Sequence, residues 1–478
     1  MKIPFFFFLL ICGTISFRSQ TLSIGTGSPM SEIKNSEIIP FYVNSYNNFY
    51  FMTWENDFLP SHHIYTWQGT STSNNDEIKL PGKEKNNGEF KNIIGTKEKM
   101  YLFRSQFSKE QKKNILYAHP LFPTLEVKEE GTEINSSPAT KANLAGEFGI
   151  NRSASGNFIV SFGEYPKEKE VNEKFSIAVT DAAMNVKWNK EFQFPYPSKK
   201  IPYNDVFISD KGGVFTIKRV DDVNFSVFIP DAEKGNLIEV KLEPGGAKKI
   251  NNYNISFNAA GECVVAGFYT EDAVENKEKE VSFTGSYYFR IGTDGKIIAK
   301  NTNAFPAPLK HLEIRCVFAM DDKKTLLVGE DLKKEKLGMS AGYEAADKTM
   351  NTCKNVYLYL LDENGKMIWT NVIEKEATTY NDGAIYSMCN VQLAGEKIIV
   401  LINDEKKKYH SKDERVPVLF VINKDGTKEK PVAMPISNKG IAQNLQLMSC
   451  AATKISEKEF MFMGSTDEAF YSVTLKLP

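Results

Sequence analysis

Short apolar runs, each ended by a turn, recur along almost the whole chain. Residues 357–373 read YLYLLDENGKMIWTNVI, residues 287–300 read YYFRIGTDGKIIAK, residues 418–428 read VLFVINKDGTK, and residues 175–192 read FSIAVTDAAMNVKWNKEF. Each is a β-branched or aromatic run, a turn and a second run. Asn364-Gly365, Asp294-Gly295 and Asp425-Gly426 are dipeptides that tight hairpins favour, because glycine accepts positive φ. The fourth copy turns through Ala and Asn and is looser.

A second pair of runs precedes each hairpin, as in YNISFNAAGECVVAGF at 253–268 and LEIRCVFAMDDKKTLLVG at 312–329. The second run of each pair is apolar at nearly every position, the pattern of a strand covered on both faces. In four copies it ends at Gly163, Gly267, Gly329 or Gly464, where a small residue permits close packing. The repeating unit is therefore an inner strand, a central strand and an outer hairpin. Units fall near 38–82, 90–135, 148–195, 204–244, 253–306, 312–376, 386–435 and 446–478, with a mean period of about 55 residues. That period predicts an all-β fold, a β-propeller of seven or eight four-stranded blades. The first two units are the weakest, which leaves the count between seven and eight. The last unit shows three strands, and TLSIGTGS at 21–28 is expected to supply the fourth and close the ring. A stack of two β-sandwiches is the competing architecture. No amphipathic helix of ordinary length is predicted.

The N-terminus breaks the pattern. Lys2, the apolar core FFFFLLI at 5–11 and the polar Arg18, Ser19 and Gln20 read as an export signal over residues 1–20. Its core is too short to span a bilayer, and no other stretch is long and apolar enough to do so. Residues 21–478 are then expected to form a single propeller domain, exported to the periplasm or the exterior. Cys263, Cys316, Cys353, Cys389 and Cys450 remain, an odd number without a CxxC pair, so neither a zinc site nor a redox motif is indicated.

Composition narrows the function classes. Lys plus Arg is 59 and Asp plus Glu is 60, a net charge of -1, which argues against nucleic-acid binding by phosphate neutralisation. A hydrophobic fraction of 41% excludes a disordered chain. Only seven of the basic residues are Arg, and Lys is the poorer partner for bidentate phosphate or carboxylate recognition.

The hairpins at 357–373 and 175–192 resemble those of secreted bacterial β-propellers whose blades carry an Asp–x–x–Gly–x–x–x–Trp-like signature. Asp362, Gly365 and Trp369 match it in DENGKMIW, and Asp181 and Trp188 match it without the glycine. The resemblance covers single blades. It implies the fold, and such propellers include cofactor enzymes, assembly scaffolds and plain binding modules.

Loops after the central strands and those entering the inner strands share one face of a propeller. Acidic residues gather at the first position: Glu55 and Asp57, Glu164, Asp221 and Asp222, Glu271 and Asp272, Glu330 and Asp331, Asp404 and Glu405, Asp467 and Glu468. At the second, Tyr203-Asn204-Asp205 and Tyr380-Asn381-Asp382 recur, with Tyr253-Asn254 a partial copy. Tyr and Asn offer stacking surface and adaptable hydrogen bonds to sugars or peptides. The same tripeptide also suits a turn in which Asn or Asp caps the backbone. His311 and Arg315 occupy the matching stretch of the sixth unit, and Trp54 and Glu55 end the first central strand. These residues form the candidate ligand site.

No catalytic constellation stands out. The five His residues show no HExxH spacing, and no GxSxG or phosphate-binding glycine loop occurs. No metal or cofactor is expected. The function expected is a non-enzymatic binding module of the envelope or exterior, taking a glycan or protein ligand at the channel mouth. The alternatives are a polysaccharide hydrolase or lyase with carboxylates on the loop face, and an envelope assembly scaffold. Oligomeric state is left open.

Overall fold

The computed structural model describes residues 23–26, 36–43, 48–55, 61–68, 71–77, 88–97, 99–122, 126–167, 170–197, 204–220, 224–271, 281–320, 323–337, 348–380, 382–405, 415–434, 445–466 and 470–477. The predicted export signal lies outside them. Up to residue 77 the description is of backbone strands alone.

Apart from one short 3-10 turn, every regular element among the described residues is a strand. β1 (Ser23–Thr26) stands apart from its sequence neighbours. Sheet I holds β2 (Ser36–Val43), β3 (Asn48–Glu55), β4 (Ser61–Gln68) and β5 (Ser71–Glu77). Sheet II holds β6 (Gly88–Gly95), β7 (Met100–Ser108), β8 (Lys113–Leu121) and β9 (Thr132–Pro138). Sheet III holds β10 (Phe148–Arg152), β11 (Phe158–Glu164), β12 (Asn172–Asp181) and β13 (Val186–Pro197). Sheet IV holds β14 (Asn204–Ile208), β15 (Val214–Arg219), β16 (Phe225–Asp231) and β17 (Asn236–Leu242). Sheet V holds β18 (Lys249–Phe257), β19 (Cys263–Thr270), β20 (Ser282–Ile291) and β21 (Ile297–Lys310). Sheet VI holds β22 (Leu312–Ala319), β23 (Thr325–Leu337), β24 (Lys348–Leu361), β25 (Met367–Ile373) and, on β24, β26 (Ala377–Tyr380). Sheet VII holds β27 (Asn390–Ala394), β28 (Lys397–Glu405), β29 (Arg415–Asn423) and β30 (Val432–Ala433). Sheet VIII holds β31 (Gln446–Ser456), β32 (Glu459–Ser465) and β33 (Phe470–Lys476), with β1 along β33.

The result is an all-strand, propeller-like succession of antiparallel meanders. The expected fold is corrected in two respects. The units are not uniformly four-stranded: seven sheets have four strands and sheet VI has five. Nor is any sheet closed. β1 pairs Ser23–Thr26 with Val473–Lys476 and is the open edge of sheet VIII. With four residues and one partner strand, it extends that sheet and closes none. β2 of the first sheet runs beside β31 of the last, and among the described residues no hydrogen-bond ladder joins the two sheets.

The core lies between neighbouring sheets. All eight residues of β19 are buried, which is why such central strands read as unbroken apolar runs. Sheets VI and VII enclose Val356, Leu358, Ile398, Val400 and Val418. Sheets VII and VIII enclose Leu401, Leu419, Phe460 and Val473. Each such side chain stabilises the fold by about 1.5–3 kcal/mol. At Gly267 a Cβ would stand 2.2 Å from the Asn252 carbonyl oxygen, so no larger residue fits that crossing.

Asparagine side chains add polar ties between sheets. Asn252 Nδ2 donates to the Leu312 carbonyl at 3.2 Å. Asn303 donates to the Gly365 carbonyl at 2.9 Å and accepts from the Met367 amide at 3.1 Å. Asn403 does the same with both backbone groups of Leu447, at 2.7 and 3.0 Å. A buried amide satisfied on both sides fixes the relation of its two sheets, because slippage would leave it unpaired.

Candidate functional site

Sheet VI differs from its neighbours at the end where the central strand leaves the body. β22 ends its pairing with β23 at Leu312–Asp331. Beyond that point β23 and β24 continue together from Leu332–Cys353 to Leu337–Lys348. β26 then joins β24 on the other side, with Tyr380 opposite Met350 and Ala377 opposite Cys353. The three strands form an arm that projects past the sheet, and Tyr380, 49% exposed, stands at its outer edge.

Two register shifts shape the root of the arm. Ile314 faces Gly329 and Cys316 faces Val328, so Arg315 is bulged out of β22. A second shift lies on β24, where Glu330 faces Val356 and Leu332 faces Cys353, so that Lys354 and Asn355 stand against the single residue Asp331. Bulges re-aim side chains. These bring Arg315 onto Glu330, with Nε 2.5 Å from Oε2. Lys375, which follows β25, places Nζ 2.5 Å from Glu330 Oε1, and both of those side chains are completely buried. The Cys389 amide donates to the same carboxylate at 3.0 Å, and Lys375 also donates to the Ser387 carbonyl. One carboxylate thus ties β22, the chain after β25 and the turn leading into β27.

Two cations face one anion in this network. Burial is the largest single influence on Arg315 and opposes its charge, but Glu330 and smaller contributions from neighbours that include Glu313 together hold the guanidinium above its ordinary range. Arg315 Nη2 is buried without a hydrogen-bond partner. Burial, reinforced by Glu330, pushes the Cys353 thiol up to about 11 and the Cys389 thiol well above its usual range. Burial also raises Cys316. All three thiols are therefore protonated at neutral pH and poor nucleophiles. Glu330 is saturated with donors, so it is neither a free acid nor a free base.

The predicted site residues are distributed as follows. Asp382 caps the turn before β27: it accepts from Thr379 Oγ1 at 2.7 Å, Asn351 Nδ2 at 3.1 Å and the Ala384 amide at 2.9 Å. Asp205, on β14, accepts the Tyr253 hydroxyl of the next sheet at 2.6 Å. Asn204 enters β14 opposite Lys218, while Tyr203 and Asn381 lie outside the described residues. His311 adopts a left-handed φ of 53° between β21 and β22, and its carbonyl accepts the Leu332 amide at 2.8 Å. Trp54 and Glu55 end β3 opposite His62 and Ser61. Arg315 and Tyr380 therefore lie on sheet VI, with His311 and Asp382 in turns bordering it, each with its own partners; Asp205, Trp54 and Glu55 belong to other sheets.

The acidic residues at the ends of the central strands do not share one environment. Glu330 is locked in its network. Asp404 is fully buried. Glu271 lies 3.5 Å from Lys248. Glu164 is half-buried, and its pKa is raised first by burial and further by Glu173 and Glu147, against the pull of Lys167 and Lys218. Burial also raises Asp331, against the pull of His311 and Lys354. A second buried ion pair, Lys218–Glu173 at 2.6 Å, stands beside Glu164, with Lys218 4.8 Å over the Phe194 ring. Asp57, Asp221, Asp222, Asp272, Asp467 and Glu468 lie outside the described residues. Among those described, no group of three or more His, Cys, Asp or Glu residues is placed to hold a metal ion. No helix among them is long and apolar enough to cross a membrane.

No family model matches the chain, and no curated protein matches it. Solved structures do. The chain is similar to Sqt1 of Saccharomyces cerevisiae, at 10% identity over 95% of this chain and 100% of that one, with a TM-score of 0.44. It is similar to the WD40 domain of SCAP from fission yeast, at 9% identity over 95% and 94%, with a TM-score of 0.41. The β-propeller domain of the Trilobed protease from Pyrococcus furiosus matches at 10% identity over 85% and 100%, with a TM-score of 0.36.

Lys375 and Ser387 carry no signal in the sequence. Lys375 is one charged residue in the run IEKEAT, and no period or motif marks it. The one readable hint was Glu330, an acidic residue directly after an apolar central strand.

Proposed function

We propose that this chain is an exported, non-enzymatic binding module, with residues 1–20 as its signal and 21–478 as one domain, working in the periplasm or outside the cell. A glycan or protein ligand is taken on the arm of sheet VI. The observation that carries this reading is the fifth strand. β26 extends one sheet beyond the body and presents Tyr380 on a base held by Glu330. An exposed aromatic ring on a rigid support gives a ligand stacking area at low entropic cost. Across the arm, Met350 separates Tyr380 from Glu335 of β23, which offers a carboxylate on the same projecting strands.

The test is a glycan array and an envelope-protein pull-down with the mature protein, each repeated with Tyr380→Ala. Binding lost in the variant at unchanged stability supports the arm. Binding that survives intact moves the site elsewhere. Recovery of the protein from the exported fraction, cleaved near residue 20, tests the location.

A hydrolase or lyase reading has one observation in its favour. Glu164 has the raised pKa that a general acid requires. Turnover of a polysaccharide panel, abolished by Glu164→Gln, would establish it.

A further inference from the structure

A cleft of about 380 Å³ opens between sheets VII and VIII. It lies at the turns joining inner to central strands, the end of the sheets away from the arm. Its walls are aliphatic: Ala394, Leu419, Val421, Val432 and Leu477. The cause is local. Outer strands β17 and β25 have seven residues and β21 has fourteen, whereas β30 has two. β30 pairs with Val418 and Leu419. The preceding chain touches β29 again at single bonds, the Lys428–Ile422 bridge and the Glu429 amide on the Val421 carbonyl at 2.9 Å, so the outer cover of β29 is interrupted between them.

The rim is charged but internally neutralised. Lys397 pairs with Glu429 at 2.7 Å. Glu457 pairs with Lys454 at 2.7 Å and accepts the Gly395 amide at 3.0 Å. Glu396 pairs with Lys424 at 2.6 Å. The lining holds three carboxylates, Glu396, Glu429 and Glu457, against two lysines, Lys397 and Lys458, so an anionic head meets the excess carboxylate and a cationic one competes with lysines already in place. No aromatic side chain lines the walls to stack a flat ring. The chemistry left is an aliphatic body with an uncharged polar head that hydrogen-bonds to the carboxylate rim.

We infer that this cleft is a binding site for an uncharged aliphatic amphiphile, separate from the arm. A cavity of about 150 Å³ suffices for benzene, so this one accommodates a chain of about eight carbons.

The test uses the full-length protein and 1-octanol, followed by calorimetry and by methyl NMR of labelled Leu and Val. Saturable binding that shifts the methyls of Leu419, Val421, Val432 and Leu477 is expected. Octanoate should bind at least tenfold more weakly. Val432→Trp, a rim change at an exposed position that spares the buried wall, should weaken 1-octanol binding at least tenfold with an unchanged melting temperature. Absence of saturation, shifts confined to other methyls, octanoate binding as well as 1-octanol, or an unaffected folded Val432→Trp variant would each overturn the assignment.

Discussion

The indole N–H of Trp369 donates to the carbonyl of Lys424, 2.9 Å away in the next sheet. The two belong to hairpins of adjacent sheets, and the ring continues beneath Gly426, where a Cβ would meet Trp369 Cγ at 3.1 Å. Asn371, two residues on, donates to the Gly426 carbonyl at 2.8 Å. The Trp of one Asp–x–x–Gly–x–x–x–Trp hairpin therefore serves the Gly turn of its neighbour. Gly426 has a φ of 88°, which a larger residue adopts at a cost of about 1–2 kcal/mol. Gly426→Ala should lower stability by about 2 kcal/mol in urea unfolding, adding that strain to the lost ring contact. Trp369→Phe should cost about 1 kcal/mol for the hydrogen bond. Combined, the two should fall short of additivity, because they disrupt one contact.

Glu330→Gln leaves Arg315 and Lys375 buried with their shared counter-charge removed. The expected loss is about 3–5 kcal/mol. A variant in which Glu330, Arg315 and Lys375 are all replaced by Met should recover most of it. If the triple variant is no more stable than Glu330→Gln, burial cost is not what governs the network.

Glu164 gives a pH signature of definite sign. Its folded pKa lies above the unfolded one. The stabilisation linked to its proton is complete below about pH 4, the unfolded value, and is lost as pH rises through the folded value. Glu164→Gln should therefore melt about 1–2 °C above the parent at pH 7, with the difference vanishing near pH 4. A difference independent of pH would remove the linkage.

Cys263, Cys353 and Cys389 are buried, and burial raises the pKa of each. Iodoacetamide at pH 8 should leave all three unmodified in the native protein and label them quantitatively in 6 M guanidinium, a condition chosen to unfold the chain. Peptide mass mapping distinguishes them from other thiols.

Tyr380 and Asp382 should separate binding from folding. Tyr380→Ala changes an exposed ring and should shift stability by less than about 0.5 kcal/mol. Asp382→Ala removes the acceptor of the Thr379, Asn351 and Ala384 bonds and should cost about 1–3 kcal/mol. Urea unfolding of the two variants checks both values.

Much of the architecture was legible because it follows local rules. The hairpin turn at Asn364-Gly365 needs only a residue that accepts positive φ, and Gly365 has a φ of 80°. The continuous apolar run at 263–268 needs only cover on both faces, and every residue of β19 is buried. The N-terminal segment takes the expected partner in the last sheet, but the expected closure failed because β1 lies there as an edge with one partner strand, a position that four residues of sequence do not specify. β26 was missed because ATTY has no run or period to announce a strand; it forms where the overlong β24 offers a free edge.

The amino-acid sequence by itself determined where strands begin and turn, since glycine stereochemistry and two-sided burial act over a few residues. The tertiary structure alone decided which charges meet. Arg315, Glu330 and Lys375 span 60 positions of chain, and two bulges and a buried carboxylate bring them together. It alone decided that a two-residue β30 leaves a cleft against sheet VIII. Electrostatics and packing at these places depend on distance in space, which no local pattern of residues encodes.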